Sequence, residues 1–220
     1  MEIEKKFAII ILIGGKNIRF GDESAAILEV LGKPLILYQI ESLSKFNEEV
    51  FLIAHSEYQV NSYYKKMNFP RDITFLIDDT EVLGNKQLRT PMLGVYSGFR
   101  ELKKLGFEKA FLLSGDMPLI KPKVIELMIN SVKGYDYCIP RWHNGYLEPL
   151  FAIYPVEKTF ELAKKSILER NYAFTSIIDK SLRINYIPVE ESIKQLDQNF
   201  VSLININGPI DLEKLIILFQ

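Results

Sequence analysis

The sequence has one cysteine, Cys138, among its 220 residues. A disulfide within the chain and a zinc site made of several thiolates are therefore excluded, and Cys138 is expected to be a small apolar strand residue. The sequence also has no large net charge, because it contains 27 Lys and Arg and 28 Asp and Glu. Since general nucleic-acid binding needs a strong basic field, no nucleic acid is expected among the partners.

Long hydrophobic runs are absent as well. A membrane-spanning helix needs about 20 apolar residues in succession, and the most apolar stretch of this chain, Phe7–Ile13, is shorter. It is followed by Gly14 and Gly15 instead of the cleavage site of a signal peptide. We therefore expect a soluble, cytoplasmic protein with no membrane partner.

What the chain does have is the composition of an ordinary globular protein, with 48% hydrophobic and 25% charged residues. A chain of this length can bury roughly 70–75% of the surface that it exposes when unfolded, which suffices for one sizeable core. No internal repeat, low-complexity tract or long linker divides the sequence. A single domain over residues 1–220 is the simplest expectation.

Short apolar runs alternate with amphipathic segments along the chain. The runs predict strands at Phe7–Ile13, Val50–His55, Ile73–Asp78, Ala110–Ser114, Tyr135–Pro140, Leu150–Tyr154, Leu182–Pro188 and Val201–Ile206. The amphipathic segments predict helices at Pro34–Phe46, Glu57–Met67, Leu93–Leu105, Pro122–Val132, Val156–Lys165 and Pro209–Leu218. This alternation is typical of a doubly wound α/β fold, a mostly parallel sheet in a three-layer α/β/α arrangement. Ligands of such sheets bind beyond the carboxyl ends of the strands.

The first predicted strand leads into a loop with the sequence GGKNIR, residues 14–19. Two adjacent glycines let the backbone approach a ligand closely, and successive N–H groups in such a turn can bind an anion. Lys16 and Arg19 add positive charge, and arginine can hold a phosphate with two parallel hydrogen bonds. The loop suits a nucleoside triphosphate, although an ordinary surface turn is an equal alternative on glycine content alone. It matches neither the P-loop pattern nor the G-x-G-x-x-G pattern of dinucleotide-binding proteins.

An acidic residue stands directly after the fourth predicted strand, in the segment Gly115-Asp116-Met117-Pro118. Mg²⁺ bound to a nucleotide uses one or two protein carboxylates, with water and phosphate oxygens as its other ligands. Asp116 is therefore a candidate metal ligand, with Mg²⁺ as the expected cofactor, and Gly115 leaves room for the phosphates. The alternative is that Asp116 caps the turn or helix that follows.

These two segments carry a resemblance to a known family. Residues 13–21, IGGKNIRFG, resemble the L-x-G-G-x-S-x-R-M-G signature of nucleotidyltransferases, and in particular that of the molybdenum cofactor guanylyltransferases, the MobA-like proteins. The G-D-M-P segment at Asp116 and the G-K-P-L-I segment that begins at Gly32 match further motifs of the family. The resemblance extends almost to the C-terminus and implies a Rossmann-like nucleotidyltransferase fold.

The resemblance also implies an activity and its substrates. The protein would transfer GMP from GTP to molybdopterin or the molybdenum cofactor, release pyrophosphate and use Mg²⁺ held by Asp116. Transient contact with molybdoenzymes or other cofactor-synthesis proteins belongs to the same expectation. Related transferases that use CTP or another phosphorylated acceptor are an alternative that the sequence does not separate.

Residues can be assigned to each substrate by the same resemblance. The nucleotide-binding residues would be Ile13, Gly14, Gly15, Lys16, Arg19, Asp79, Pro91, Gly94 and Asp116. Those on the side of the pterin would be Glu148, Asn205 and Asn207. The two asparagines alternate along a predicted strand and would share one of its faces. For Asp79 the alternative is a solvated loop acid, and for the asparagines it is capping of the helix that begins at Pro209.

A polar and aromatic loop, Arg141-Trp142-His143-Asn144, follows the fifth predicted strand. Such a loop could receive an anionic substrate. Neither His143 nor His55 is expected to act as a catalyst, since a lone histidine is more often structural or solvated.

One position departs from the family signature. The signature continues R-M-G-x-D-K-A, and aligning it on Arg19 without gaps places Ser24 where the family has a lysine that neutralises phosphate charge. Loss of one such cation lowers the rate of transfer by about 10²–10⁵, by analogy with the removal of single charges or donors. The candidate replacements are Lys16, Lys33, Lys86 and Arg89. The catalytic residues are then expected to be Arg19, Asp116 and Lys33; the alternative is a protein that binds nucleotide with little turnover.

The loop assignment makes a direct prediction about Arg19. The Arg19→Ala substitution removes the guanidinium that would grip the triphosphate. We expect GTP binding, measured by titration calorimetry, to be lost in this variant. Undiminished affinity for GTP would contradict the assignment of the loop.

Overall fold

A single sheet organises the part of the chain that the structure describes, residues 7–15, 25–83 and 90–218. In this computed structural model its strands are β1 (Phe7–Leu12), β2 (Glu49–Ala54), β3 (Thr74–Ile77), β4 (Lys109–Ser114), β5 (Tyr137–Arg141), β6 (Phe151–Pro155) and β7 (Ile184–Pro188). Their order across the sheet is β7-β5-β6-β4-β1-β2-β3. β6 is antiparallel to both neighbours and the other neighbouring strands are parallel, which confirms the predicted mostly parallel sheet.

Helices cover both faces of the sheet. They are α1 (Leu35–Leu43), α2 (Glu57–Lys66), α3 (Pro91–Lys104), α4 (Pro122–Ser131), α5 (Val156–Leu168) and α6 (Pro209–Leu218). The buried residues of α1, α2 and α4 pack on one face and those of α3 and α5 on the other, which confirms the three-layer arrangement. α6 packs instead with a small ribbon formed by Glu29–Val30 and Lys33–Pro34. Within the described ranges, no helix combines the length and the apolar character needed to cross a lipid bilayer.

The continuous apolar character of β1 follows from its central place. Ala8 and Ile10 belong to the core beneath α3 and α5, whereas Ile9 and Ile11 belong to the core on the opposite face. These side chains are fully buried. Because successive side chains of a strand face opposite sides, a strand covered on both faces has no position suited to a polar residue.

The antiparallel direction of β6 follows from the short connection before it. β5 ends at Arg141 and β6 begins at Phe151. A parallel pair of neighbouring strands needs a crossover of about a dozen residues or more, usually a helix. The intervening residues 142–150 instead form a tight connection, in which the N–H of Trp142 donates to the carbonyl of Tyr146 at 2.8 Å.

The predicted strand over Val201–Ile206 is wrong. Val201–Leu203 forms a 3₁₀ turn, entered through Phe200 at φ 52°. The residues after the turn join no strand of the described sheet, and the N–H of Ile206 donates to the carbonyl of Asp116 at 2.9 Å. A short apolar run indicates burial, but it does not distinguish a strand from a buried turn.

The guanidinium of Arg71 closes the connection between α1 and β2. It donates to the carbonyls of Leu43 at 2.8 Å and Phe46 at 3.0 Å, and a third bond reaches the carbonyl of Glu48. Carbonyls at the end of a helix lack partners within the helix. This one side chain binds the carbonyl of the last residue of α1, Leu43, and two carbonyls of the connection that follows.

Substitution of Arg71 is therefore expected to destabilise the fold. Arg71→Met should lower the free energy of unfolding by about 1–3 kcal/mol, because several carbonyls lose a charged donor. Urea denaturation followed by circular dichroism measures the change. Arg71→Lys keeps the charge on a single nitrogen and should recover only part of the loss. A change below about 0.5 kcal/mol in Arg71→Met, typical of an unremarkable surface substitution, would contradict this role.

Candidate functional site

The carboxyl ends of β1 and β4 bring the two predicted motifs together. The strands pair in parallel with Leu12 opposite Ser114. Beyond this pair, the N–H of Gly115 donates to the carbonyl of Leu12 at 2.9 Å. A Cβ on Gly115 would lie 2.9 Å from Cγ2 of Ile13 and 3.0 Å from that carbonyl oxygen, so a larger residue would push the two segments apart. The diglycine bend after β1 and the acidic segment after β4 therefore lie side by side.

The diglycine bend packs against the end of β2. A Cβ on Gly14 would lie 3.1 Å from the backbone nitrogen of His55, so the backbones are in close contact. The N–H groups of Gly14 and Gly15 have no hydrogen-bond acceptor among the described residues, and Gly15 is exposed. Two such donors at a strand end suit an anion. The predicted Lys16 and Arg19 lie outside the described residues.

Asp116 presents an unsatisfied buried oxygen at this edge. Its Oδ1 is buried and has no hydrogen-bond partner among the described residues. Burial raises the pKa of the Asp116 carboxyl, and hydrogen bonds from the Ser114 side chain and from the backbone of Asp116 oppose this effect only in part. A buried carboxylate without a donor is unfavourable unless a cation compensates its charge. The carboxylate oxygen therefore fits a hard divalent cation such as Mg²⁺, which binds oxygen ligands.

A buried amide that no sequence pattern singled out holds the end of β4. Gln39 of α1 is fully buried, and its Nε2 donates to the carbonyl of Ser114 at 3.0 Å. Ser114 lies two residues before Asp116, so this bond fixes the strand end from which the acid projects. The available signal was the place of Gln39 in the apolar stripe between Leu35 and Leu43, where a polar side chain must find a buried partner.

The two acids after β3, Asp78 and Asp79, have different surroundings. The carboxylate of Asp79 pairs with Arg100 and accepts the N–H of Glu81 at 2.9 Å, so it is engaged by its own protein. Asp78 faces the first turn of α3, since a Cβ on Gly94 would lie 3.6 Å from its Oδ1. The nucleotide-binding role of Asp79 stays a prediction, and Asp78 joins it as a candidate.

The first turn of α3 reaches the same edge of the sheet. A Cβ on Gly94 would lie 3.1 Å from Cδ2 of Leu12, at the end of β1. The helix begins with Pro91, and the side chain of Thr90 accepts the N–H of Met92 at 3.4 Å. A helix N-terminus favours an anion, so this placement is compatible with the predicted roles of Pro91 and Gly94.

Lys33 lies on the small ribbon and contacts α1. Its ammonium pairs with Glu41 and stands 4.2 Å from the ring centre of Tyr38. These contacts hold the side chain against the helix. Its catalytic role stays a prediction, which requires release of the ion pair with Glu41.

On the predicted acceptor side, Glu148 is half-buried beside an aromatic pair. Its Oε1 accepts the Nε1–H of Trp142 at 2.7 Å, and Trp142 meets the ring of Phe200 edge-on at 5.1 Å. Burial raises the pKa of the Glu148 carboxyl, while the bond from Trp142 lowers it. The carboxylate thus orients an indole and stays close to solvent.

Asn205 and Asn207 lie in an irregular segment and not on the predicted strand. They flank Ile206, whose N–H binds the carbonyl of Asp116, so both stand next to the acidic segment. The N–H of Asn207 donates to Oδ2 of Asp211 at 3.0 Å. Tertiary contact with the loop after β4, rather than strand periodicity, therefore places the asparagines.

His143 is held in an exposed ionic cluster. Its Nε2 lies 2.7 Å from Oε1 of Glu191, and its backbone N–H donates to the carboxylate of Glu190. The bond from Glu191 raises the pKa of His143, and Glu190 adds to this effect. The cluster uses the histidine for surface contacts and does not include Asp116.

Comparison with known proteins bears on this arrangement. Residues 9–180 match the family described as the MobA-like NTP transferase domain. The chain is 30% identical over 215 residues to a probable molybdenum cofactor guanylyltransferase of Methanosarcina mazei, covering 94% of this chain and 88% of that protein. It is 33% identical over 210 residues to a protein of the same name from Thermococcus gammatolerans, covering 93% and 96%.

Two solved structures share the fold. The molybdopterin-guanine dinucleotide biosynthesis protein A of Archaeoglobus fulgidus superposes with a TM-score of 0.75 at 24% identity, covering 96% of this chain and 98% of that one. The 4-diphosphocytidyl-2C-methyl-D-erythritol synthase of Anaerococcus prevotii superposes with a TM-score of 0.67 at 15% identity, covering 98% and 96%. The same sheet thus occurs in proteins with different names.

The burial of Asp116 predicts a pH-dependent effect on stability. Asp116→Asn keeps the shape of the side chain and removes its charge, so the variant should melt at a higher temperature than the wild type at pH 7 in the absence of divalent cations. Because the folded pKa is raised, the penalty of the charged form is fully present above that pKa and disappears as the pH falls through it. The two melting temperatures should therefore converge in acid.

Thermal denaturation in EDTA, from about pH 3 to pH 8, spans the ordinary carboxyl range and the raised one. Asp72→Asn, at an exposed position, is the matched control and should leave the melting temperature unchanged. A lower melting temperature for Asp116→Asn at pH 7, or a difference that does not depend on pH, would contradict the buried-charge interpretation.

Proposed function

We propose, from the premise that this chain belongs to the MobA-like NTP transferase family, that it transfers GMP from GTP to the phosphate of molybdopterin, with or without bound molybdenum. The chain is a nucleotidyltransferase, as its relatives are. The observation that supports the substrate proposal is the contact of Gly115 with Leu12, which brings the N–H groups of Gly14 and Gly15 to the same strand end as the buried acid Asp116.

The transfer needs alignment and charge neutralisation more than a strong base. A phosphate oxygen of molybdopterin would form a bond to the α-phosphorus, while the bond from that phosphorus to the α–β bridging oxygen breaks and its electron pair leaves with pyrophosphate. The nucleophile is already an anion, so no proton has to be removed. The protein then contributes positioning and electrostatic stabilisation.

The nucleotide side of the reaction falls to the loop after β1. The N–H groups of Gly14 and Gly15 are available to phosphate oxygens, and the positive N-terminal end of α3 lies at the same edge. Lys16 and Arg19, together with Lys33 where its ion pair opens, would supply the side-chain cations. These groups would hold the triphosphate and neutralise its charge.

Asp116 is the residue that would hold Mg²⁺. The fit rests on its buried Oδ1, which lacks a donor among the described residues. When bound, Mg²⁺ supplies charge neutralisation on the phosphate oxygens. Before it binds, the bonds from Ser114 and from its own backbone hold the carboxyl of Asp116 at the strand end.

The acceptor would approach from the segment that follows the 3₁₀ turn. Ile206 binds the backbone of Asp116, so Asn205 and Asn207 stand beside the position proposed for the metal. Amide groups can both donate to and accept from a pterin ring. Glu148 and its bonded Trp142, also assigned to the acceptor, offer a carboxylate and an aromatic face.

A second candidate, a nucleotide-binding protein with little turnover, is favoured by one observation. When the family signature is aligned on Arg19 without gaps, Ser24 falls at the position of the family lysine. Among the described residues, Lys33 is the proposed replacement for that lysine, and it is paired with Glu41. The two candidates differ in pyrophosphate release and agree in nucleotide binding.

The proposed reaction is tested by incubating the protein with Mg²⁺, GTP and molybdopterin and measuring the dinucleotide and pyrophosphate. GTP is expected to give product faster than CTP or ATP. Asp116→Asn should lower the rate by about 10²- to 10³-fold, the scale of losing one electrostatic stabiliser of a transition state. Asp72→Asn, an exposed substitution of the same chemical kind, should leave the rate unchanged.

The outcomes separate the two candidates. Nucleotide affinity with no pyrophosphate release, unimproved by Ser24→Lys, would support the binding protein and contradict the transferase. Product formed only from CTP, or only with another phosphorylated acceptor, would overturn the substrate assignment and keep the reaction class.

A further inference from the structure

The helix α2 carries a polar side chain where its position calls for an apolar one. Gln59 is only 7% exposed, and Tyr63 one turn later is buried in the core on the same helix. A buried amide is unfavourable unless its hydrogen-bonding groups are satisfied. The contacts of Gln59 therefore explain why a glutamine is tolerated in this layer.

The side chain of Gln59 joins the diglycine bend to the end of β2. Its Nε2 donates to the carbonyl of Ile13 at 2.8 Å. Its Oε1 accepts the backbone N–H of His55 at 2.9 Å and lies 2.7 Å from Nδ1 of the same histidine. One buried amide thus connects the residue immediately before Gly14 with the residue immediately after β2.

The orientation of this amide is set by chemistry. A carbonyl oxygen only accepts, so the group facing Ile13 must be the NH₂ of Gln59. A backbone N–H only donates, so the group facing His55 must be the amide oxygen. Because that oxygen cannot donate, Nδ1 of His55 must carry its proton to complete the bond, and in the neutral ring Nε2 then has the lone pair.

The bend held in this way is the one whose N–H groups are offered to an anion. The carbonyl of Ile13 is turned toward α2, and the N–H of Ile13 donates to the carbonyl of Ile53 at 3.0 Å. Both backbone polar groups of Ile13 are therefore engaged by the protein. The next two N–H groups, of Gly14 and Gly15, have no acceptor among the described residues. The bend therefore holds both donors unbonded before any ligand binds.

We propose that Gln59 is a positioning residue for nucleotide transfer, which holds the Ile13–Gly15 bend against β2 and keeps the proton of His55 on Nδ1. This inference rests on the proposed function, since it assigns the bend to the triphosphate. Its physical basis is pre-organisation, because a bend that is already fixed loses less conformational freedom when the nucleotide binds.

The first test is spectroscopic and needs no substrate. In the wild type, nitrogen NMR shifts of His55 should report a ring protonated on Nδ1. Gln59→Met has a similar shape and no hydrogen-bonding group, so the His55 shifts should move toward the other tautomer and the amide signals of Gly14 and Gly15 should shift or broaden. Gln59→Glu keeps an acceptor for His55, so it should leave the His55 proton on Nδ1. It also places a second oxygen against the carbonyl of Ile13 in place of the NH₂ donor, so it should disturb the glycine signals.

The second test measures the consequence for transfer. Gln59→Met should lower kcat/KM for GTP by about 10-fold or more, mainly through a raised KM, on the scale of losing more than one hydrogen bond. The KM for the pterin acceptor should stay within about twofold. Tyr63→Leu is the control, because it shortens a large buried side chain of the same helix whose ring meets Phe75 of β3. It should lower the melting temperature and leave the KM for GTP unchanged.

The two readouts keep this inference separate from the proposed function. Unchanged His55 and glycine signals in Gln59→Met would overturn the positioning role, whatever the reaction proves to be. Shifted signals together with an unchanged KM for GTP in an active enzyme would also overturn it. If the wild type formed no dinucleotide, the proposed function would fail. The inference would then be tested by the Kd for GTP with Mg²⁺ in place of the KM. Equal affinity of Gln59→Met and wild type would refute it.

Discussion

The close approach of β1 and β4 at their carboxyl ends is the constraint on which the candidate site depends. Parallel pairing places Leu12 opposite Ser114, and the bond from Gly115 to Leu12 continues the contact beyond the strands. An added Cβ on Gly115 would stand 3.0 Å from that carbonyl, so the contact requires a residue without a side chain. The diglycine bend and the acid of β4 share an edge of the sheet because of this contact.

The helices behind that edge contribute through buried polar groups. Gln39 of α1 binds the end of β4, and Gln59 of α2 binds the bend after β1. Each amide lies in an apolar layer, where its burial is unfavourable unless its groups are bonded. Both groups of the Gln59 amide are bonded, whereas Oε1 of Gln39 and Oδ1 of Asp116 are buried without a hydrogen-bond partner among the described residues. Of these two oxygens, only that of Asp116 belongs to an ionisable group, whose charge a bound cation would compensate.

Much of the fold and part of the site could be predicted from local pattern. All seven labelled strands and all six labelled helices correspond to predicted segments, because burial on one or both faces leaves a periodic signal. The strand predicted at Val201–Ile206 failed, because its apolar residues are buried by a turn. Asp79 was the expected acid after β3, yet its carboxylate is bound to Arg100, a pairing that depends on how α3 packs. Ser24 and Arg19 lie outside the described residues, so their roles remain predictions.

The amino-acid sequence alone determined the class of the fold, the order of its elements, and the two motifs at strand ends. These depend on residues that are neighbours in the chain, whose spacing records the period of a helix or strand. Tertiary structure alone decided that the motifs touch, that Ile206 binds the backbone of Asp116, and that Gln59 reaches Ile13 across 46 positions of the chain. Such contacts join distant segments, and their energy depends on the packing of whole layers, for which a single sequence carries no local signal.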